Sequence, residues 1–168
     1  MKERKKKEQS TSKTNAMRML DTAKIPYEAL EYEVDEKDLS GVHIAESLDF
    51  PPEQMFKTLV ARGDKSGVAV FCIPVAEELN LKYAASVSGN KRLELLPVKE
   101  LLGVTGYIRG GCSPIGMKKK FPTWVDESAL QFERITVSAG VRGIQLLLDR
   151  DALLQFIQAN VAPLTAKS

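Results

Sequence analysis

Short runs in which apolar and polar residues alternate occur along most of the chain. Alternation with a period of two is typical of β-strands that bury one face. The clearest runs are YEALEYEV (27–34), MFKTLVAR (55–62), GVAVFCIP (67–74), RITVSAG (134–140) and IQLLLD (144–149). The pair separated by GDKSG predicts a hairpin. Further strands are predicted at the start of YIRGGCSPIG (107–116) and in TWVDESAL (123–130).

Segments with helical spacing lie between these runs. They are AMRMLDTAK (16–24) with Asn15 as its cap, GVHIAESLDF (41–50), VAEELNLKYAASVSG (75–89), VKELLG (98–103) and DRDALLQFIQAN (149–160). Five to seven strands are thus interleaved with four or five helices. Several strands follow one another directly, which favours mixed pairing over a purely parallel sheet. We expect a single domain of the α/β class, mixed α+β in character.

Composition and charge set the boundaries of this domain. The 168 residues suffice for one domain with a real core. Residues 1–13 hold six basic and two acidic side chains, although the whole chain has a net charge of only +2. We therefore expect a disordered basic tail at 1–14, a folded domain at 15–162 and a short tail at 163–168. Because the domain itself is slightly acidic, it does not resemble a general nucleic-acid binder.

The inventory of reactive residues excludes several classes of enzyme. One histidine and two cysteines, without ligand spacing, do not make a zinc site. Neither a GxGxxG nor a P-loop pattern occurs, so no cofactor is expected. No apolar run approaches the ~20 residues of a membrane helix, and the charged N-terminus is not a secretory signal. The two separated cysteines do not form a disulfide framework, and we expect a cytoplasmic protein.

Three segments carry candidate chemistry, and each has a structural alternative. GYIRGGCSPIG (106–116) is either a tight connecting turn or a loop that offers backbone N–H groups to an anion or oxyanion. Its Cys112 is either a nucleophile or incidental. Lys57, in the middle of a strand, either reaches solvent at a sheet edge or projects a cation into a pocket. SAGVRG (138–143) is either a hairpin turn or a second wall of a site.

Taken together, these segments resemble a known family. FKTLV (56–60), GYIRGGCSPIG (106–116) and VSAGVRG (137–143) are similar to the signature blocks of the YbaK/EbsC family. Its members are cytoplasmic Cys-tRNA(Pro) deacylases related to the editing domain of bacterial prolyl-tRNA synthetases. The resemblance covers about residues 15–160. It implies a single mixed α/β domain around a curved, largely barrel-like sheet flanked by helices.

The resemblance also implies a reaction and a set of site residues. The reaction is hydrolysis of the ester of mischarged Cys-tRNA(Pro), assisted by groups of the substrate rather than by a side-chain nucleophile. Lys57 is implied as the catalytic residue. The implied substrate-binding residues are Tyr32, Gly110, Gly111, Ser113, Pro114, Ser138, Gly140 and Gly143. No metal or cofactor is implied, and Cys112 falls at a variable position of the loop.

The chain departs from the family pattern at Ser40, where some members have a phenylalanine that closes the pocket. Two alternative functions therefore stay open: a deacylase for Ala-tRNA(Pro) or other small aminoacyl-tRNAs, and a non-catalytic module that binds tRNA or a synthetase. The implied partners are the 3′ end of a mischarged tRNA and prolyl-tRNA synthetase, with no membrane. A monomer or a weak homodimer is expected.

Overall fold

The computed structural model describes residues 12–165. These residues form five α-helices and eight β-strands. The helices are α1 (Asn15–Thr22), α2 (Gly41–Ser47), α3 (Leu81–Val87), α4 (Val98–Thr105) and α5 (Arg150–Phe156). The strands are β1 (Tyr27–Glu31), β2 (Phe56–Gly63), β3 (Gly67–Pro74), β4 (Leu93–Leu95), β5 (Thr123–Asp126), β6 (Arg134–Ser138), β7 (Ile144–Asp149) and β8 (Asn160–Ala162).

The strands are arranged in two sheets. One has three antiparallel strands in the order β1-β7-β6, and the other has five in the order β4-β2-β3-β5-β8. The β2–β3 hairpin is antiparallel, whereas β5 pairs in parallel with both β3 and β8. A single parallel bridge, Met55 to Thr136, joins the start of β2 to β6. The two sheets therefore meet where β2 begins and diverge beyond that point.

The buried apolar residues form three clusters, because alternation along the strands directs side chains to opposite faces of the sheets. The largest cluster includes Phe56, Val70 and Cys72 of the larger sheet together with side chains of the smaller sheet, α1 and α5. The other face of the larger sheet packs on α3, and there the rings of Phe71 and Trp124 stack with centroids 5.6 Å apart. A third, smaller cluster lies beneath α2. This layering confirms the expected mixed α/β domain.

The predicted barrel-like sheet is corrected by the structure, since the strands of residues 12–165 form two open sheets. The short strands β4 and β8 were not predicted, because three residues cannot establish an alternation. The strand expected at the start of YIRGG is absent. Residues 107–122 form a loop in which Gly111 donates a backbone hydrogen bond to Ile108 at 2.9 Å.

Several helix ends differ from the sequence-based expectation. The cap of α1 is Thr14, whose hydroxyl accepts from the Met17 amide at 3.2 Å, rather than Asn15. Helix α3 begins only at Leu81, after the cap Asn80. Helix α4 continues through the expected stop at Gly103 and ends before Gly106, which adopts φ +90°. The left-handed conformation at Gly106, which a glycine tolerates without strain, terminates the helix.

The packed region also extends beyond the expected end at residue 162. Leu164 is fully buried, its amide donates to the Asp126 carboxylate at 2.9 Å, and Thr165 pairs with Leu79. The remainder of the expected tails at 1–14 and 163–168 is mostly residues 1–11 and 166–168, which lie outside the described residues. Thr14, the last residue of the expected N-terminal tail, caps α1. None of the helices in residues 12–165 has the length and hydropathy needed to cross a membrane.

Candidate active site

A cavity of about 390 Å³ lies where β2 diverges from β6. Its polar groups come from Ser40 before α2, Lys57 and Thr58 of β2, Arg109 and Gly110 of the glycine-rich loop, Ser138 of β6 and Gln145 of β7. The remaining walls are largely apolar and include residues of α2, β4 and α4. A concave, mostly apolar cavity with a few convergent polar groups is the usual form of a small-ligand site.

Lys57 is the only lysine that lines this cavity in the described part of the chain. Its neighbour Phe56 is buried in the main core, while Lys57 itself is half-buried on the other face of β2. Burial lowers the pKa of the Lys57 ammonium, and the nearby carboxylates of Glu78 and Glu77 oppose this effect. None of the described carboxylates lies within 4.0 Å of this ammonium. Lys57 can therefore bind an anionic or polarised oxygen of a ligand.

Ser138 faces the same cavity as Lys57. A parallel bridge joins Met55, just before β2, to Thr136 of β6, and it brings the two segments that carry Lys57 and Ser138 close together. Ser138 is buried, and its hydroxyl oxygen accepts from the Gly140 amide at 3.1 Å. Its own O–H is thus oriented by the turn that follows β6. The cation and the hydroxyl predicted from separate motifs are brought together.

The glycine-rich loop contributes less of its backbone to the cavity than the sequence suggests. Gly110 lines the cavity, but the N–H of Gly111 already donates to Ile108 within the loop. A Cβ atom at Gly111 would come within 3.0 Å of the Val141 backbone. Glycine is needed there because the two turns approach each other closely. The Arg142 guanidinium adds a second link by donating to the Arg109 carbonyl at 2.8 Å.

The other predicted site residues do not line the cavity and instead pack in the segments around it. Tyr32 packs against the cluster beneath α2, and its amide donates to the Gly143 carbonyl at 2.9 Å. Ser113 is fully buried and accepts from the Ile115 amide, and Gly140, at φ +99°, lies against the Tyr107 ring. Pro114 lines a second cavity on the opposite side of the loop. Of the nine predicted residues, only Lys57, Gly110 and Ser138 line the main cavity.

Sequence reasoning missed several residues of the cavity. Gln145, Thr58 and Arg109 supply polar groups, and Leu95 and Val98 supply exposed apolar surface at its edge. Gln145 could have been noticed as the one amide in an otherwise apolar strand. The others carry no such signal, because they reach the cavity only through the pairing of distant strands. Ser40, which departs from the family pattern, caps α2 and lines the cavity.

Cys112 lines the cavity, but its environment does not favour a thiolate. Burial raises the pKa of its thiol to about 12, against the opposing effect of a hydrogen bond with Thr105. At neutral pH the thiol is therefore protonated, whereas a nucleophilic cysteine requires a lowered pKa. The buried Cys72, on β3, has a pKa raised to about 12 for the same reason. These values support the incidental interpretation of Cys112.

Residues 40–156 match the family model described as "Aminoacyl-tRNA editing domain". The chain belongs to this aminoacyl-tRNA editing domain family. The matched segment contains all three motifs but begins after Tyr32. It starts at Ser40, the cap of α2, and ends at the last residue of α5, so it includes every residue that lines the main cavity except Leu39. The resemblance found in the motifs is confirmed.

A relative in Enterococcus faecalis is 48% identical over 161 residues, which cover 96% of this chain and 98% of the relative. It is named "Putative Cys-tRNA(Pro)/Cys-tRNA(Cys) deacylase EbsC". The crystal structure of "a putative trans-editing enzyme for prolyl tRNA synthetase" superposes with a TM-score of 0.79 at 23% identity, covering 93% of this chain and all of that one. The "hypothetical protein APE2540" gives 0.80 at 20% identity, covering 89% and 98%. These structures show that the editing-domain family's fold is present here.

Proposed function

We propose that this protein is a trans-editing enzyme that hydrolyses the aminoacyl ester of mischarged Cys-tRNA(Pro). The observation that carries the proposal is the half-buried cation of Lys57 in a mostly apolar cavity, in a chain that belongs to the editing-domain family. The name of the 48% identical relative supports cysteine as the aminoacyl group. Cysteine and proline are close in size, so binding alone separates them poorly and a second hydrolytic site is useful.

Hydrolysis of the aminoacyl ester requires few catalytic groups from the protein. Water adds to the ester carbonyl, the bond to the ribose oxygen breaks, and that oxygen takes up a proton, which yields cysteine and free tRNA. An ester is already activated, so positioning and stabilisation of the developing negative charge can suffice. Lys57 supplies a positive charge that its partly buried surroundings leave poorly screened. Ser138 and Gly110 line the same cavity and hold the aminoacyl group near that charge, while Cys112 takes no covalent part.

Binding of the tRNA body requires affinity from outside the cavity. Residues 14–168 carry a slight excess of acidic side chains and therefore attract RNA weakly. We propose that prolyl-tRNA synthetase supplies the missing affinity and that the reaction takes place in the cytoplasm. A monomer or a weak homodimer is proposed as the active unit.

The proposal is tested by deacylation of a panel of tRNAs in the presence and absence of the synthetase. The panel contains Cys-tRNA(Pro), Ala-tRNA(Pro), Cys-tRNA(Cys) and correctly charged Pro-tRNA(Pro). Hydrolysis of Cys-tRNA(Pro) with sparing of Pro-tRNA(Pro) is expected. Preference for Ala-tRNA(Pro) would make alanine the substrate, and binding without turnover would make the protein a non-catalytic module.

Three variants assign the chemistry within the same assay. Lys57→Ala should lower kcat/KM by at least about 10²-fold, the typical loss for one group that stabilises the transition state. Lys82→Ala removes an exposed lysine of α3 that does not line the cavity, and it should behave as wild type. Cys112→Ala should stay within about threefold of wild type. A folded but inactive Cys112→Ala protein would restore the nucleophile hypothesis, and an active Lys57→Ala protein would remove Lys57 from the mechanism.

A further inference from the structure

Gln145 is a buried polar residue in the wall of the cavity. Only 5% of its surface is exposed, and it lies near the start of β7, directly opposite Ser138 of β6. On these two strands Ile135, Val137 and Leu146 point into the main core. Alternation therefore places Ser138 and Gln145 on the opposite face, toward the cavity that both residues line.

A neighbouring hydroxyl fixes the orientation of the Gln145 carboxamide. The side chain of Thr136, which is fully buried, donates a hydrogen bond to the Gln145 Oε1 atom at 3.1 Å. With its oxygen held by Thr136, the carboxamide presents its Nε2 atom as a donor. The hydrogen bonds formed among residues 12–165 include none from this nitrogen. Among the described residues, the Ser128 hydroxyl is the buried side-chain group that lacks a partner, so the Gln145 nitrogen keeps some accessible surface. Because Gln145 lines the cavity, this nitrogen is available to an acceptor there.

The position of Gln145 relative to Lys57 identifies the kind of acceptor. Lys57 on β2, Ser138 on β6 and Gln145 on β7 line one cavity, and Ser138 and Gln145 are directly paired across their two strands. The α-ammonium of an aminoacyl group is itself a donor and cannot pair with Nε2. The ester carbonyl oxygen is an acceptor, and it is the atom on which negative charge develops during hydrolysis. A neutral donor can stabilise that charge without burying a second cation.

We propose that Gln145 is a catalytic residue whose Nε2 group donates a hydrogen bond to the carbonyl oxygen of the aminoacyl ester. This assignment rests on the proposed deacylase function. The hydrogen bond strengthens as the carbonyl becomes tetrahedral and its oxygen gains charge. Lys57 provides the longer-range positive potential, Gln145 provides the directed N–H group, and Thr136 is a positioning residue that keeps the carboxamide in its productive orientation.

The test compares two substitutions that preserve the size of the side chain. Gln145→Met removes the donor, and Gln145→Glu replaces it with a carboxylate that only accepts. Both variants should lose on the order of 10²-fold in kcat for Cys-tRNA(Pro), with KM changed by less than about threefold, because the interaction is stronger in the transition state. Gln155→Met, at an exposed position of α5, is the matched control and should retain wild-type kcat and KM.

The pH profile of Q145E gives a readout that a purely structural role would not produce. Burial disfavours the charged carboxylate, so lowering the pH restores a neutral carboxylic acid with an O–H donor. The ratio of its kcat to that of wild type should therefore rise as the pH falls. A Gln145→Met protein with wild-type kcat, a loss confined to KM, or a Q145E ratio that does not change with pH would each overturn the assignment.

Measuring wild type and Lys57→Ala alongside separates this inference from the proposed function. If wild type does not hydrolyse any tRNA of the panel, the deacylase proposal fails. If wild type is active and Lys57→Ala is inactive, but both Gln145 variants match wild type, only the role of Gln145 fails. Thermal unfolding of each variant identifies a loss caused by misfolding, and in that case the other Gln145 variant decides the question.

Discussion

At the scale of single residues, Lys57 combines a proposed catalytic role with an environment that disfavours its charge. A lysine that is partly removed from water favours its neutral form, and this lowers the pKa of Lys57 in the folded protein. Because its usual pKa is 10.5, the unfolded chain binds this proton more tightly than the folded protein does. The destabilising effect is complete at pH values below the folded pKa. It disappears as the pH rises through the folded pKa toward the unfolded value.

This argument predicts that Lys57→Met unfolds at a higher temperature than wild type at neutral pH although it has lost activity. Methionine fills a similar volume and has no charge to desolvate. The difference in Tm should decrease as the pH is raised toward 10.5. Thermal unfolding of both proteins between pH 7 and pH 10.5 checks the prediction. A Lys57→Met protein less stable than wild type at pH 7 would show that Lys57 contributes favourable interactions to the fold.

At the scale of elements, the site depends on two turns that pack backbone against backbone. The loop between α4 and β5 and the turn between β6 and β7 meet at Gly111, where a Cβ atom would lie 3.0 Å from Val141 and 3.1 Å from the Arg142 amide. Such an approach is tighter than side chains normally make, and neither backbone can move without shifting its turn. Gly110 belongs to the first of these segments and Ser138 immediately precedes the second, so the contact at Gly111 supports two parts of the cavity wall.

Gly111→Ala should therefore push the two turns apart. We expect a loss of about 1–3 kcal/mol in the free energy of unfolding and at least a tenfold fall in kcat/KM. The matched control is Gly103→Ala in α4, where an added Cβ atom meets nothing within 4 Å. That substitution should raise stability by about 0.5–1 kcal/mol and leave kcat unchanged, because alanine favours the helix. Denaturant unfolding and deacylation assays measure both effects. Equal behaviour of the two variants would show that the turns do not need their close contact.

At the scale of the whole molecule, basic charge is concentrated at one end of the sequence. Residues 1–13 are strongly basic, whereas the rest of the chain is slightly acidic. Attraction to the phosphates of tRNA is long-ranged and weakens steeply with salt, while the hydrolytic step depends on groups within the cavity. Binding of the tRNA body and ester cleavage should therefore respond to different parts of the chain.

Removal of residues 1–11 is expected to leave kcat unchanged and to increase KM at low salt, with a smaller dependence of KM on salt than in the full chain. This truncation retains Thr14, which caps α1, and Lys13, which pairs with Asp21. Deacylation at several salt concentrations checks the expectation. A tenfold fall in kcat would instead place part of the N-terminal segment in the reaction.

The sequence by itself determined the local elements and the family. The apolar runs in MFKTLVAR and GVAVFCIP are strong because both faces of the hairpin bury apolar side chains, and the structure has β2 and β3 there. The three motifs identified the family because their residues and order are specific. Short strands such as β4 could not be predicted in this way. Three residues carry too little pattern, and their pairing depends on a distant strand.

Only the tertiary structure decided which groups reach the cavity. Lys57 and Ser138 are eighty-one positions apart in the chain, and both line one cavity because a bridge brings the start of β2 close to β6. Gln145 joins them because β7 pairs with β6, and Thr136 donates a hydrogen bond to its side-chain oxygen. Gly111, in contrast, was predicted to bind the substrate, but in the structure it lies where two turns approach each other closely. Strand pairing acts between residues far apart in sequence, so local pattern predicts the strands but not the site that they assemble.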